Sequence, residues 1–264
     1  MLKALFIVAA LLSLFSLLIY TFQVKMIFLP QILSPQHRFV FSHPFEEHWI
    51  DVPGAKINAL LFEQESDRSR GLVVYFHGNA GSLESWGDVH QYFLPAHYDT
   101  FVVDYRGYGK STGSIGSEAQ LLLDAEAIYA YVLETFGDRY QDRVILYGRS
   151  IGTGIASWLA RRVNPSMLIL ETPYIDLPSL VRELYPFIPR FAVRYKLNNQ
   201  EHLRAVNCPV HIFHGTHDGL IPYQHGEYLS RLSTQIELHT IVGGEHNDLP
   251  TYRDYHRTLR RILQ

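Results

Sequence analysis

The chain has 264 residues, 47% hydrophobic and 19% charged, proportions that exclude a disordered polypeptide. Lysine and arginine total 23 against 26 aspartates and glutamates, a formal charge of −3, so no bulk basic field exists to hold nucleic acid. A single cysteine, Cys208, excludes an intrachain disulfide framework and a multi-cysteine zinc site.

The first element is apolar. From Ala4 to Val24 no side chain is charged, a run of 21 residues. At ~1.5 Å per residue a helix of that length spans about 31 Å, enough for a hydrocarbon core of ~30 Å. The expectation is a retained transmembrane signal-anchor at 1–24, followed by a juxtamembrane segment at 25–40. A cleaved secretory signal is the alternative, but it wants a shorter apolar core and a small-x-small site, which the residues after Leu17 do not supply. A core helix is the other alternative, disfavoured because the run carries no polar face. The α-amino group and Lys3 precede the run and Lys25 follows it. The positive-inside rule then favours a single-pass protein whose catalytic domain lies on the non-cytoplasmic side.

From residue 41 to 264 short apolar runs alternate with helical stretches. Strands are expected at 48–52, 57–63, 71–77, 100–105, 143–148, 167–171, 210–215 and 236–242. The later runs are continuous in aliphatic and β-branched residues, as strands buried on both faces require. No helix separates the first two, which suits an antiparallel meander. Ser66–Arg70 reads as a short polar loop. Ser117 and Gln120 form a capping box opening a helix through about Thr135. Helices are also expected at Ile151–Val163 and after Asp248, with Asp248 as cap and Pro250 in the first turn. Strand–helix alternation predicts an α/β fold: a mostly parallel eight-stranded sheet with helices on both faces. The segment 172–208 is a short insertion rich in apolar and aromatic residues. It reads either as a helix packed on the sheet or as an apolar wall over a site, with Arg190, Arg194 and Lys196 suited to a membrane surface.

The chemistry is carried by loops that end strands. Gly148-Arg149-Ser150-Ile151-Gly152 follows one strand and opens a helix. A sharp turn there needs small residues beside the serine, whose hydroxyl then stands exposed above the sheet. The Ile151 N–H, at the helix N-terminus, is placed to donate to a developing oxyanion. A second donor, Asn79, is expected from His77-Gly78-Asn79-Ala80-Gly81; the alternative is that this string is only a tight turn. A serine needs a base and the base an orienting acid, which in this arrangement follow it in the chain. His246, in the loop after the last strand, is the expected base, and Asp218, after the strand before it, the expected acid. His217 is too close to Asp218 to present its ring in line with the serine. Glu171 is a backup acid or a structural hydrogen-bond acceptor. His211, His214 and His217 recur every three residues, a spacing that turns successive side chains to opposite faces of a strand, so no metal is expected. No cofactor is expected either.

Together the strings FHGNAG at 76–81, DYRGYGKS at 104–111, YGRSIGTG at 147–154, HGTHDGLIP at 214–222 and GGEHND at 243–248 resemble the α/β-hydrolase superfamily. More narrowly they are similar to its branch of single-pass membrane serine hydrolases, the alpha/beta-hydrolase-domain-containing proteins related to the bud-emergence type. The resemblance covers about residues 71–264, and the anchor matches too. It implies a serine hydrolase that cleaves esters or thioesters through an acyl-enzyme on Ser150, acting on a small-molecule or lipid-like acyl substrate. Some relatives remove acyl groups from lipidated proteins, but those depend on an N-terminal cysteine cluster that this chain lacks. A serine peptidase or amidase, and a catalytically silent scaffold on the same fold, are the competing readings. For DYRGYGKS the residues indicate a tight structural loop, with Arg106 pairing a nearby carboxylate.

Overall fold

The computed structural model describes residues 2–64 and 69–264; the side chains of residues 2, 4, 5 and 7–12 lie outside that description. In chain order the elements are α1 (Leu2–Ile27), β1 (Leu29–Pro30), β2 (Glu46–Val52), β3 (Ala55–Phe62), β4 (Gly71–Phe76), β5 (Ala80–Gly81), α2 (Leu83–Trp86), β6 (Tyr98–Val103), α3 (Glu118–Tyr140), β7 (Val144–Arg149), α4 (Ile151–Val163), β8 (Met167–Glu171), α5 (Leu177–Leu184), α6 (Asn199–Leu203), β9 (Val210–Gly215), α7 (Gln224–Ser230), β10 (Ile236–Ile241) and α8 (Arg253–Ile262).

Eight strands form one sheet in the order β10-β9-β8-β7-β4-β6-β3-β2. Neighbours run parallel from β10 to β6, while β3 is antiparallel to both β6 and β2. The reason is visible in β4, where every residue is buried. Leu72, Val74 and Phe76 enter the core shared with α3 and α4, whereas Val73 and Tyr75 enter the opposite core with Leu83 of α2 and Tyr255 and Leu259 of α8. A strand with apolar side chains on both faces must be covered on both, and helices supply the cover.

α3 begins where Ser117 accepts a hydrogen bond from the Gln120 N–H, one half of the expected capping box; the Gln120 side chain instead accepts from the Gly116 N–H at 2.9 Å, and the helix runs five residues beyond the expected end to Tyr140. The C-terminal helix departs from expectation. Asp248 is not its cap: Asp248 Oδ1 accepts from the Glu245 N–H at 2.6 Å, and Pro250 sits in a separate 3-10 turn, Leu249–Thr251. Tyr252 is extended, with its hydroxyl donating to Gly243 O at 2.8 Å, so helix α8 starts only at Arg253. The polar loop expected at 66–70 lies mostly outside the described residues. So do many side chains of the anchor expected at 1–24; among the described residues no helix is long and apolar enough to cross a membrane.

The expected juxtamembrane segment makes specific contacts with the sheet domain. Phe28 is buried in the α3/α4-side core, edge-on to Tyr195 with ring centroids 5.3 Å apart. β1 then pairs in parallel with β5, a two-stranded ladder that sequence patterning did not indicate because each strand is only two residues long.

Candidate active site

The parallel strands end at one edge of the sheet, the edge where open α/β sheets gather their loops. Ser150 follows β7 there. Its backbone has φ +52° and ψ −117°, a conformation few non-glycine residues adopt. Two close approaches make the turn possible. A Cβ on Gly152 would lie 2.2 Å from Phe76 O, and one on Gly148 would lie 2.5 Å from Gly152 O. Any side chain at either position would push the elbow off β4 or off α4.

The structure brings Ser150, His246 and Asp218 together. Ser150 Oγ is 3.1 Å from His246 Nε2, and His246 Nδ1 is 2.8 Å from Asp218 Oδ2. Asp218 Oδ1 accepts from the N–H groups of Leu220 and Ile221 at 2.9 and 2.8 Å, which fixes the carboxylate plane. His214, fully buried, contacts Ile221 O at 2.8 Å through Nε2 and approaches Asp218 Oδ2 at 3.5 Å. Burial alone would raise the Asp218 carboxyl. Hydrogen bonds from His214 and His246, with the backbone N–H of Ile221, outweigh it and hold the group well below the usual carboxylate range. His217 is exposed and joins none of these contacts through its ring.

Glu171 lies apart from the imidazole. It is buried, accepts from the hydroxyls of Tyr147 and Tyr255, and stands 3.2 Å from Arg149 Nε. Burial opposes the Arg149 charge, and Glu171 more than compensates, so the guanidinium is held ionised. Arg149 then reaches across to the histidine loop, donating to Asn247 Oδ1 at 3.2 Å and to His246 O at 3.4 Å. It ties the serine turn to the loop carrying His246. Sequence patterning missed it because the position beside the serine has no pattern of its own.

The loop after β4 is anchored by DYRGYGKS. His77 Nε2 lies 3.2 Å from Asp104 Oδ1, both fully buried, and Asp104 Oδ2 accepts from the Leu83 N–H at 3.2 Å. Burial raises the Asp104 carboxyl, against the pull of His77. Tyr105 donates its hydroxyl to His77 O at 2.6 Å and Tyr108 donates to Asn79 O at 2.7 Å. Arg106 makes a bidentate pair with Asp124, with both contacts at 2.5 Å. The Tyr105, Tyr108 and Asp104 contacts hold the Asn79 loop against the strand beside β4, while the Arg106 pair ties the same string to α3, roles that its glycines alone do not reveal.

Asn79, Ser150 and Ile151 line one cavity of about 140 Å³, walled otherwise by Ile27, Tyr174, Leu177, Leu180, Leu220 and Ile221. A larger groove of about 620 Å³ lies between α1 and the Phe187–Ala192 stretch, and Ser150 does not line it. Among the described residues the group that gathers three metal-type ligands is His211, Glu237 and His239, whose ligand atoms lie within 4.8 Å of one another. It is not the histidine series considered from spacing. His211 Nδ1 contacts His239 Nε2 at 2.9 Å, and Arg261 lies 3.5 Å from Glu237, so these groups already satisfy one another. They sit at the other end of β9 from Asp218.

A family model for serine aminopeptidases of the S33 type, a group of α/β-hydrolases, matches residues 67–205. The chain belongs to this family. Protein bem46 of Schizosaccharomyces pombe is 30% identical over 72% of this chain and 66% of its own length. The lysophosphatidylserine lipase ABHD12 of Gallus gallus is 28% identical over 81% of this chain and 65% of its own. The chain thus spans just under two thirds of the length of these curated relatives. The esterase Pf2001 of Pyrococcus furiosus superposes with a TM-score of 0.71 at 17% identity, covering 89% of this chain and 98% of that one, which speaks to the fold alone.

Proposed function

We propose that this protein is a serine hydrolase that cleaves carboxylic esters or thioesters of lipid-like acyl groups through an acyl-enzyme on Ser150. The observation that carries the reading is the Ser150–His246–Asp218 chain of contacts at 3.1 and 2.8 Å. With His246 Nδ1–H donated to a carboxylate held ionised, Nε2 is left to accept the Ser150 Oγ proton. As Oγ bonds to the substrate carbonyl carbon, that proton passes to Nε2. The carbonyl oxygen takes the negative charge toward the N–H groups of Ile151 and Asn79. Collapse expels the alkoxide or thiolate, which takes the proton from His246, and water repeats the sequence to release the acid. The steps require no metal or cofactor.

The pocket favours an acyl group over a peptide amino terminus. Its lining among the described residues is aliphatic apart from Asn79, Ser150 and Tyr174, and it presents no carboxylate to pair a free α-amine. The similarity to a protein named a lysophosphatidylserine lipase points to the same class of ester. The uncharged run 4–24 supports attachment to a membrane, with the catalytic domain on the non-cytoplasmic side.

A fluorophosphonate probe tests the reaction class. The wild-type chain is expected to label, and Ser150→Ala to lose both labelling and ester turnover, the latter by at least roughly 10³-fold. Equal labelling of the two proteins would sink the reading.

A further inference from the structure

We propose that Ile27, the last residue of α1, sets the length of acyl chain that the Ser150 pocket accepts. The inference rests on the ester-hydrolase reading above and adds a specificity-determining residue to it.

Ile27 lines the 140 Å³ cavity together with Ser150 and with Leu177 and Leu180 of α5. It therefore brings into the site an element that precedes the whole sheet domain in sequence. A wall residue controls specificity only if its backbone is held, and on both sides of Ile27 the chain is pinned. One turn earlier, Gln23 is buried within the apolar helix. Its Nε2 donates to Ala192 O at 3.1 Å, and its Oε1 accepts from the Arg194 N–H at 2.7 Å. An amide bonded on both ends to the backbone of another segment fixes the helix in height and rotation. On the other side, Phe28 is buried against Tyr195. The Leu29 N–H then donates to Asn79 O at 2.8 Å and the Gln31 N–H to Gly81 O at 2.9 Å. The strand following Ile27 thus grips the loop that carries Asn79. The side chain of Ile27 has little freedom to retreat from a longer acyl chain.

The cavity size sets the scale. A void of ~150 Å³ takes up a benzene-sized group, so the pocket walled by Ile27 surrounds about the first six carbons of an acyl chain. In an apolar pocket one methylene too many or too few is worth about 10- to 200-fold in kcat/KM.

The test is a series of p-nitrophenyl esters from acetyl to dodecanoyl, hydrolysed by the full-length protein in detergent micelles. Ile27→Ala is expected to raise the octanoyl-to-butyryl ratio of kcat/KM at least about tenfold, and Ile27→Trp to lower it by a similar factor. Met26, exposed and outside the pocket, is the control: Met26→Ala is expected to leave the ratio unchanged. Thermal unfolding of each variant separates a reshaped pocket from a destabilised fold. An unchanged ratio in Ile27→Ala, or an equal shift in Met26→Ala, would overturn the role of Ile27 while leaving the hydrolase reading intact. A wild-type protein that turns over no ester in the series would overturn both.

Discussion

At the scale of single residues, burial decides what charge and hydrogen bonding can do. Asp218 is a buried carboxylate that stays ionised because four donors surround it. His202 is the converse. Its ring is buried beside Ser157 Oγ at 3.1 Å, and desolvation, with Arg161 nearby, pushes its pKa down to about 3. In the unfolded chain the same ring titrates near ~6.5. The unfolded state therefore takes up the proton first, and stability is full above ~6.5 and declines as the pH falls toward about 3. The slope contributed by this one group is about 1.4 kcal/mol per pH unit within that window. His202→Gln is expected to flatten that part of the curve, as read by urea midpoints at pH 7, 6 and 5. A slope equal to that of the wild type would show that His202 is not the group responsible. Arg149 repeats the Asp218 case with the opposite sign of charge: a guanidinium is tolerated in the interior because Glu171, Asn247 and His246 O meet it.

At the scale of elements, the elbow between β7 and α4 is held by close backbone approaches on both sides. The position of Gly152 against Phe76 O is a backbone-to-backbone approach, so no rotamer change can make room for a methyl group. Gly152→Ala is expected to cost about 1–3 kcal/mol or to prevent folding, measured by chemical denaturation; an unaltered midpoint would contradict the packing described. The eight strands were legible in the chain because each is an apolar or alternating run bounded by turn residues, and the antiparallel first pair followed from the lack of an intervening helix. The two-residue strands β1 and β5 carry no periodicity, and the start of α8 depended on Tyr252 reaching Gly243 O. Neither pattern nor capping chemistry records such contacts.

At the scale of the whole molecule, α1 has two characters. Its N-terminal part belongs to the uncharged run, while its C-terminal part is bonded to the 192–195 stretch by Gln23 and enters the site at Ile27. The larger groove along α1 is flanked by Phe187 and Phe191, 67% and 79% exposed, which gives the sheet domain an apolar rim beside the helix. If the run 4–24 anchors the protein, an alkaline carbonate wash leaves the full-length chain in the membrane pellet and releases a chain lacking residues 1–22. Release of the full-length chain would remove the anchor from the proposal.

The amino-acid sequence by itself determined the strand–helix alternation, the glycine-flanked serine at a strand end, and the order in which serine, acid and histidine follow one another. These are local: they depend on residue type, spacing and the chain's own periodicity. The tertiary structure alone decided that Arg149 joins the serine turn to the histidine loop and that Asp104 holds His77. It also decided that Ile27, an unremarkable member of an apolar run, stands beside Ser150. Such contacts join residues far apart in the chain, and only the folded packing of α1, β4, β6 and β7 brings them within reach of one another.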